Sequence, residues 1–302
     1  MKNINLATVR QFGNIELLAK QMVEGFITGL HKSPYHGFSV EFAEHRLYNT
    51  GESTRHIDWK VFAKTDKLFT KRYEEETNLR CQIILDTSSS MYYPLPNYDK
   101  ITFSIMASAC LAYLLQTQRD AVGLTTFSET LEIQTPIKST PTHLHSLFLT
   151  LERLLKETPK EKKTSVAQTI HQIADKLHRR SLVVIFSDMF DNINESDELF
   201  SALQHLKHNN HEVLLFHVVD SKTETDFNFE ERPYEFIDVE SGEKVKIQPS
   251  QVKDFYTKSI HNYYNDLKIK CGQYKIDFIT ADTSKPLDQI LVPYLIKRGK
   301  MR

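Results

Sequence analysis

Cysteine is scarce: there are three, Cys81, Cys110 and Cys271, far apart and set in apolar or mixed segments. An odd number of scattered thiols is not a paired disulfide framework, and a reducing cytoplasm is expected. Excess charge of one sign is missing too, with 38 Lys and Arg against 39 Asp and Glu and a formal net charge of -1. Without an overall basic field there is nothing to drive sequence-independent binding to phosphate backbones, and nucleic acid is a poor first choice of partner. Long apolar runs are absent. The longest, Phe103 to Leu115, is about 13 residues with Ser104 and Ser108 inside it, against the roughly 20 needed to cross a bilayer. It reads as a buried core helix, and no membrane span is expected. Arg10, Glu16 and Lys20 interrupt the first twenty residues, so no secretory signal is expected either. There is no internal repeat and no low-complexity tract.

What is present suffices for one large domain plus an accessory part, with 40% hydrophobic and 25% charged residues over 302 positions. Ile15, Leu18, Met22, Phe26 and Leu30 recur at spacings of three and four and predict a helix that stops near Gly29 to Pro34. The period then changes to two. Phe38, Val40 and Phe42 alternate with polar neighbours up to Tyr48, predicting a half-buried strand, with another at Leu68 to Tyr73. Residues 1–75 therefore read as a strand-rich accessory portion with one helix, and residues 76–302 as the main domain.

In that main domain short β-branched runs alternate with longer amphipathic ones. The strands are Cys81 to Leu85, Ala121 to Phe127, Leu182 to Phe186, Glu212 to Val219 and Lys275 to Thr280. Between them lie helices at Ile101 to Gln116, Leu144 to Leu155, Val166 to Leu177, Leu199 to Leu206 and Pro286 to Lys297. Such alternation predicts an α/β fold, a doubly wound and mainly parallel sheet covered on both faces. From about 220 to 250 it breaks. Phe236, Ile237 and Val239, then Ser241-Gly242-Glu243, then Val245 and Ile247 predict a hairpin inserted at the sheet's edge.

Asp86 falls at the carboxyl end of the first core strand, where open parallel sheets place ligand sites. It opens the run Asp86-Thr87-Ser88-Ser89-Ser90. A hard cation such as magnesium takes oxygen ligands and keeps several waters, so Asp86, Ser88 and Ser90 supply one edge of a site. Thr164, before a predicted helix, and Asp188, at the end of the strand Leu182 to Phe186, are the pieces that would complete it. An ion held by few carboxylates stays electropositive and seeks an anionic oxygen, for which a partner's Glu or Asp is the natural source. The same cluster reads equally as a turn or a helix cap, since Asp and Ser bond local backbone. The residues alone leave both readings open.

The run Asp86 to Met91 resembles the metal-ion-dependent adhesion motif of von Willebrand factor A domains, in which an Asp-x-Ser-x-Ser loop, a Thr and a second Asp surround the ion. By that resemblance Thr164 is the threonine and Asp188 the distal carboxylate. The stretch from Arg46 to Lys60, with Ser187-Asp188, Val219-Asp220 and Glu240 to Glu243, is similar to one prokaryotic family, known as domain of unknown function number fifty-eight, over nearly the whole chain. The resemblance implies a von Willebrand factor A or Rossmann-like fold and a divalent cation, magnesium, manganese or calcium. It also implies a protein partner, a MoxR-type AAA+ ATPase or its client, for a chaperone-like adaptor. Two departures stand out: Glu52 replaces the family's usual Asp, and Lys162-Lys163 precede Thr164 where glycine is common.

No catalytic residue is assigned. An aspartyl-phosphate template lacks its second acid, since position 88 is Ser, and no Gly-x-Ser-x-Gly elbow is present. A metal-dependent hydrolase, or an assembly protein with a vacant site, are the alternatives to a binding module. His56, His171 and His217 read as core or surface histidines. Glu74-Glu75-Glu76 reads as a solvated run. Ile57, Trp59, Val61 and Phe62 read as packing residues, so Arg55 to Lys60 is expected to brace the accessory strands against the core.

Overall fold

The computed structural model describes residues 9–10, 13–30, 45–47, 59–71, 79–157, 166–177, 180–190, 196–208, 210–238 and 242–299. Two compact units result: Met1–Thr28 with Leu79–Arg302, and Gly29–Asn78. The first helix thus groups with the main domain. This helix, α1 (Ile15–Leu30), buries Ile15, Leu18, Ala19 and Val23 as its spacing predicts. Asn14 caps it, its side-chain oxygen accepting from the Leu17 amide at 2.9 Å. Glu152 accepts from the Ile15 amide at 2.9 Å and takes up another of the unsatisfied first-turn donors.

In the smaller unit, β1 (His45–Leu47) pairs antiparallel with β2 (Phe69–Lys71), and α2 (Trp59–Thr65) lies between them in sequence. The strand expected near 68–73 is there; Phe38, Val40, Phe42, Arg55, Ile57 and Glu74 to Glu76 lie outside the described residues. Expected as a packing residue, Trp59 instead is 61% exposed on a helix with no buried residue, stacking edge-on with Phe62 three positions ahead. Its apolar neighbours Val61 and Phe62 lie within one turn of a short helix, and that local contact accounts for the apolar spacing.

The main domain runs β3 (Arg80–Asp86), α3 (Asp99–Thr117), β4 (Ala121–Phe127), β5 (Leu131–Gln134), α4 (Pro141–Lys156), α5 (Val166–Lys176), β6 (Leu182–Ser187), α6 (Ser196–His208) and β7 (Glu212–Val219). It continues with β8 (Tyr234–Ile237), β9 (Lys244–Ile247), α7 (Pro249–Gln273), β10 (Asp277–Asp282) and α8 (Leu287–Gly299). Six strands form one sheet in the order β10-β7-β6-β3-β4-β5, parallel except for the antiparallel edge strand β5. The first strand is central and the chain winds outward from it in both directions. This is the doubly wound Rossmann order, in the form the von Willebrand resemblance implies, and its switch point falls between β3 and β6.

Side chains alternate across the sheet and feed two cores. Ile83 and Leu85 of β3 join Val184, Phe186, Leu214 and Phe216 against α1, α3, α4 and α8. Ile84 joins Val183, Ile185, Val213 and Leu215 against α5, α6 and the end of α7. Helix α3 is buried nearly all round, from Lys100 to Ala112, as the apolar run requires. Among the described residues no helix is long and apolar enough to cross a membrane. The hairpin β8–β9 forms where expected, closed by Gly242 at φ 72°, but as a two-stranded sheet of its own rather than an extension of the large one. Its strands are too short and too exposed to template an edge. Helix α2, helix α7, 25 residues long, and strand β5 are described elements that the periodicity misses. Helix α7 buries Pro249, Ile260, Tyr263, Leu267 and Cys271, too thin a stripe to stand out among its lysines and tyrosines.

Candidate functional site

Strand β3 delivers Asp86, fully buried, to the carboxyl rim at the switch point. One of its oxygens, Oδ1, accepts from the Ser88 amide at 2.9 Å, an Asx turn that bends the chain out of the strand. Ser88 then stands at the N-cap of a single 3-10 turn, Ser89–Tyr92, without donating or accepting a side-chain capping bond. Its hydroxyl instead meets that of Ser90 at 3.0 Å. The turn reading therefore accounts for Asp86 Oδ1 and leaves both serine hydroxyls directed elsewhere. Thr87 points away and donates to the Phe127 carbonyl and to Glu132.

From the neighbouring strand β6, Ser187 donates to Asp86 Oδ2 at 2.6 Å and accepts from the Met189 amide. Met189 sits at φ 50°, and its carbonyl accepts from the Tyr263 hydroxyl at 2.5 Å. Asp188 is buried beside Ser90, whose hydroxyl reaches it. Its Oδ1 accepts from the Phe190 amide at 3.1 Å, and its Oδ2 accepts from Lys100 Nζ at 2.8 Å. The same ammonium lies 2.5 Å from Glu224 Oε1, while Glu224 Oε2 accepts from the Asp220 amide at 2.8 Å. Asp220 in turn caps the 221–225 turn by accepting from Thr223.

These contacts split the acids. Burial, then the nearby Asp188 charge, pushes Asp86 up to about 7, against smaller opposing effects of the Ser187 and Ser88 hydrogen bonds. Burial also pushes Asp188 upward, but the Lys100 ammonium and the hydrogen bonds from Lys100, Phe190 and Ser90 outweigh it and hold this carboxyl below its ordinary range. Lys100 is held above its usual value, the two carboxylates overcoming its own burial. Glu224 goes up, because burial exceeds what Lys100 returns. One ammonium does not neutralise two acids, and Lys100 Nζ bridges them, 2.8 Å from Asp188 Oδ2 and 2.5 Å from Glu224 Oε1. His217, stacked on Phe278 and edge-on to Tyr264, is pushed down to about 4 by burial, against smaller opposing effects of the Asp188 charge and backbone.

Asp86, Ser88, Ser90 and Asp188 are thus brought together. Thr164, Lys162 and Lys163 lie outside the described residues. Among the described residues no ammonium or guanidinium pairs with Asp86, so a buried carboxylate bonded by Ser88 and Ser187 stands without a counter-charge beside the paired Ser88 and Ser90 hydroxyls. That donor chemistry fits a hard divalent cation. No group of three or more His, Cys, Asp and Glu among the described residues is arranged to hold a metal. An ion here would accordingly rest on hydroxyl and water oxygens, as magnesium accepts and zinc does not.

The residues that sequence reasoning passed over are Lys100, Ser187 and Glu224. Lys100 carried a signal: a lysine in the first turn of an otherwise apolar helix sits at the positive end of the helix dipole and needs a carboxylate. Glu224 carried none, because its segment read as part of an insertion. His171 is not isolated, its Nδ1 lying 2.9 Å from that of His205. A cleft of about 270 Å³ lined by residues including Gln82, Gln134, Ile137 and Lys176 opens toward the other end of β3 and shares no residue with this cluster.

A family model described as "Protein of unknown function DUF58" matches residues 44–263. Uncharacterized proteins of Mycobacterium tuberculosis and Mycobacterium bovis are 24% identical over 208 residues, covering 69% of this chain. The chain spans 64% of the length of those relatives. Among solved structures, the conserved hypothetical protein BatB from Bacteroides thetaiotaomicron is similar at 14% identity and TM-score 0.43, over 74% of this chain and 99% of that one. The SpRpn10 VWA domain is similar at 17% identity and TM-score 0.33, over 47% of this chain and 76% of that one. At these scores the likeness to either structure carries no argument.

Proposed function

The chain belongs to the family of unknown function DUF58, and from that premise we propose that it is a non-catalytic protein-interaction module whose cation site at the Asp86 rim grips an acidic group of its partner. The observation that carries this reading is the buried Asp86 carboxylate at the switch point, bonded by Ser88 and Ser187 beside the paired Ser88 and Ser90 hydroxyls, with no cationic partner among the described residues. Asp86, Ser88 and Ser90 would hold magnesium or a similar ion, with Thr164 and Asp188 as the further groups around the ion that the von Willebrand motif implies. When bound, such an ion supplies Lewis-acid positive charge to an incoming carboxylate. The chain's own residues do the rest: the Asx turn fixes Asp86, Ser187 ties the two strand ends together, and Tyr263 holds the 187–190 backbone.

A binding role fits better than turnover. The hydroxyls of Ser88 and Ser90 bond each other and the adjacent aspartates rather than a histidine, and His217 packs its ring against Tyr264 and Phe278. The partner of choice is a MoxR-type AAA+ ATPase or its client, on the strength of the family resemblance. A cytoplasmic setting is supported by three buried cysteines that form no disulfide among the described residues. The test is capture of a co-encoded ATPase by wild-type protein in magnesium, by wild type in chelator and by Asp86→Asn. Capture only in the first sustains the proposal. Equal capture in all three selects a second reading, favoured by the Lys100 ammonium on Asp188: a module that assembles without any ion.

A further inference from the structure

We propose that Lys100 determines the specificity of this site, as a resident cation that competes with a divalent ion for Asp188. The inference rests on reading the Asp86 rim as a cation site, and it adds what limits that site. Lys100 is 1% exposed and stands in the first turn of α3, where both burial and the helix dipole oppose a positive charge. Two carboxylates hold it there. Asp188 Oδ2 lies at 2.8 Å and Glu224 Oε1 at 2.5 Å, and Glu224 is itself anchored by the Asp220 amide. The Tyr93 ring closes the other side, 5.8 Å from the ammonium to the ring centroid.

Both oxygens of Asp188 are therefore engaged, one by the Phe190 amide and one by Lys100. A divalent ion at the rim meets two options. It takes Asp86 and leaves Asp188 to the lysine, or it takes Asp188 and strands a buried ammonium on Glu224 alone. In the first case the ion has one uncompensated carboxylate, and in the second it has two at the cost of leaving a buried ammonium with a single partner. The consequence is weak affinity for the bare ion together with a strong residual positive charge, which selects for an anionic ligand. The lysine thus trades ion affinity for partner dependence.

The test is manganese binding by the full chain, read by calorimetry and by the loss of the free-ion signal in electron paramagnetic resonance. Compared are wild type, Glu224→Gln, Lys100→Arg and Lys100→Gln/Glu224→Gln, the last removing one charge of each sign and leaving Asp188 free. The double variant is expected to bind manganese at least about tenfold more tightly than wild type. Glu224→Gln and Lys100→Arg, which keep a cation on Asp188, should stay within about threefold of wild type. Folding of each variant is checked by near-ultraviolet circular dichroism. If the double variant does not fold, the comparison moves to Lys100→Met/Glu224→Leu, which replaces the buried pair with apolar side chains: binding at least about tenfold tighter than wild type supports the proposal, and unchanged or weaker binding overturns it. Unchanged or weaker binding by a folded double variant also overturns it. Binding by the double variant with none by wild type sustains the role of Lys100 and defeats the metal reading of the native site. Binding by wild type with no gain in the double variant does the reverse.

Discussion

Asp86 and Asp188 end neighbouring parallel strands, are equally hidden from solvent, and yet titrate in opposite directions. Burial pushes both upward, so burial does not distinguish them. The difference is one ammonium, delivered by the first turn of α3 to Asp188 and not to Asp86. The doubly wound topology decides where the two carboxylates stand; a lysine from a helix decides which of them is left to seek a cation. Two loops that look interchangeable at the rim are thereby given different tasks, one a closed ion pair and the other a hydrogen-bonded carboxyl with no cation among the described residues.

The largest way to break this contrast is to remove the ammonium without compensation. Lys100→Met leaves Asp188 and Glu224 buried and unpaired, and chemical denaturation should show a loss of about 3–5 kcal/mol. A loss under 1 kcal/mol would mean that Asp188 does not depend on the lysine.

Next comes pH. The Asp86 pKa is raised in the folded state, so its folded form holds a proton that the unfolded chain has lost. The stability from this group is full below the ordinary carboxylate value and falls away as pH rises through about 7. Metal-free wild type should lose on the order of 2 kcal/mol relative to Asp86→Asn between pH 4 and 7.5, measured by urea unfolding at each pH. Asp188 behaves in the opposite sense, with stability present above its unfolded value and lost in acid. Parallel pH profiles for wild type and Asp86→Asn would remove the contrast.

A smaller effect follows from the ion itself. Magnesium at about ten times its dissociation constant stabilises by roughly 1.4 kcal/mol, a rise in melting temperature of about 2–4 °C for a domain of this size, and Asp86→Asn should show none. The smallest sharpens the geometry. Tyr263→Phe removes the hydroxyl that holds the Met189 carbonyl and should cost about 1 kcal/mol in thermal unfolding while leaving the Asp86 titration in place.

Much of this architecture is legible in the residues. The β-branched runs predict five of the six sheet strands, and Asp86 and Asp188 fall at strand ends because the apolar runs stop immediately before them. The edge strand β5 escapes because four residues of alternating exposure carry little signal, and α7 because it buries so few of its 25 residues. Trp59 misleads: its apolar neighbours pack locally along one short helix rather than into a core. At the site, the oxygen donors are readable from spacing, but the lysine that partitions them is not. Lys100 precedes Asp188 by 88 positions and Glu224 by 124, and only the fold makes them meet.

The most direct test of the account is a manganese titration of the wild-type chain at pH 8, followed by electron paramagnetic resonance, against Asp86→Asn under the same conditions. The account predicts one weak site in wild type, weakening as pH falls through about 7 while Asp86 takes up its proton, and no site in the variant. The same binding in both proteins, or binding in neither, would contradict it.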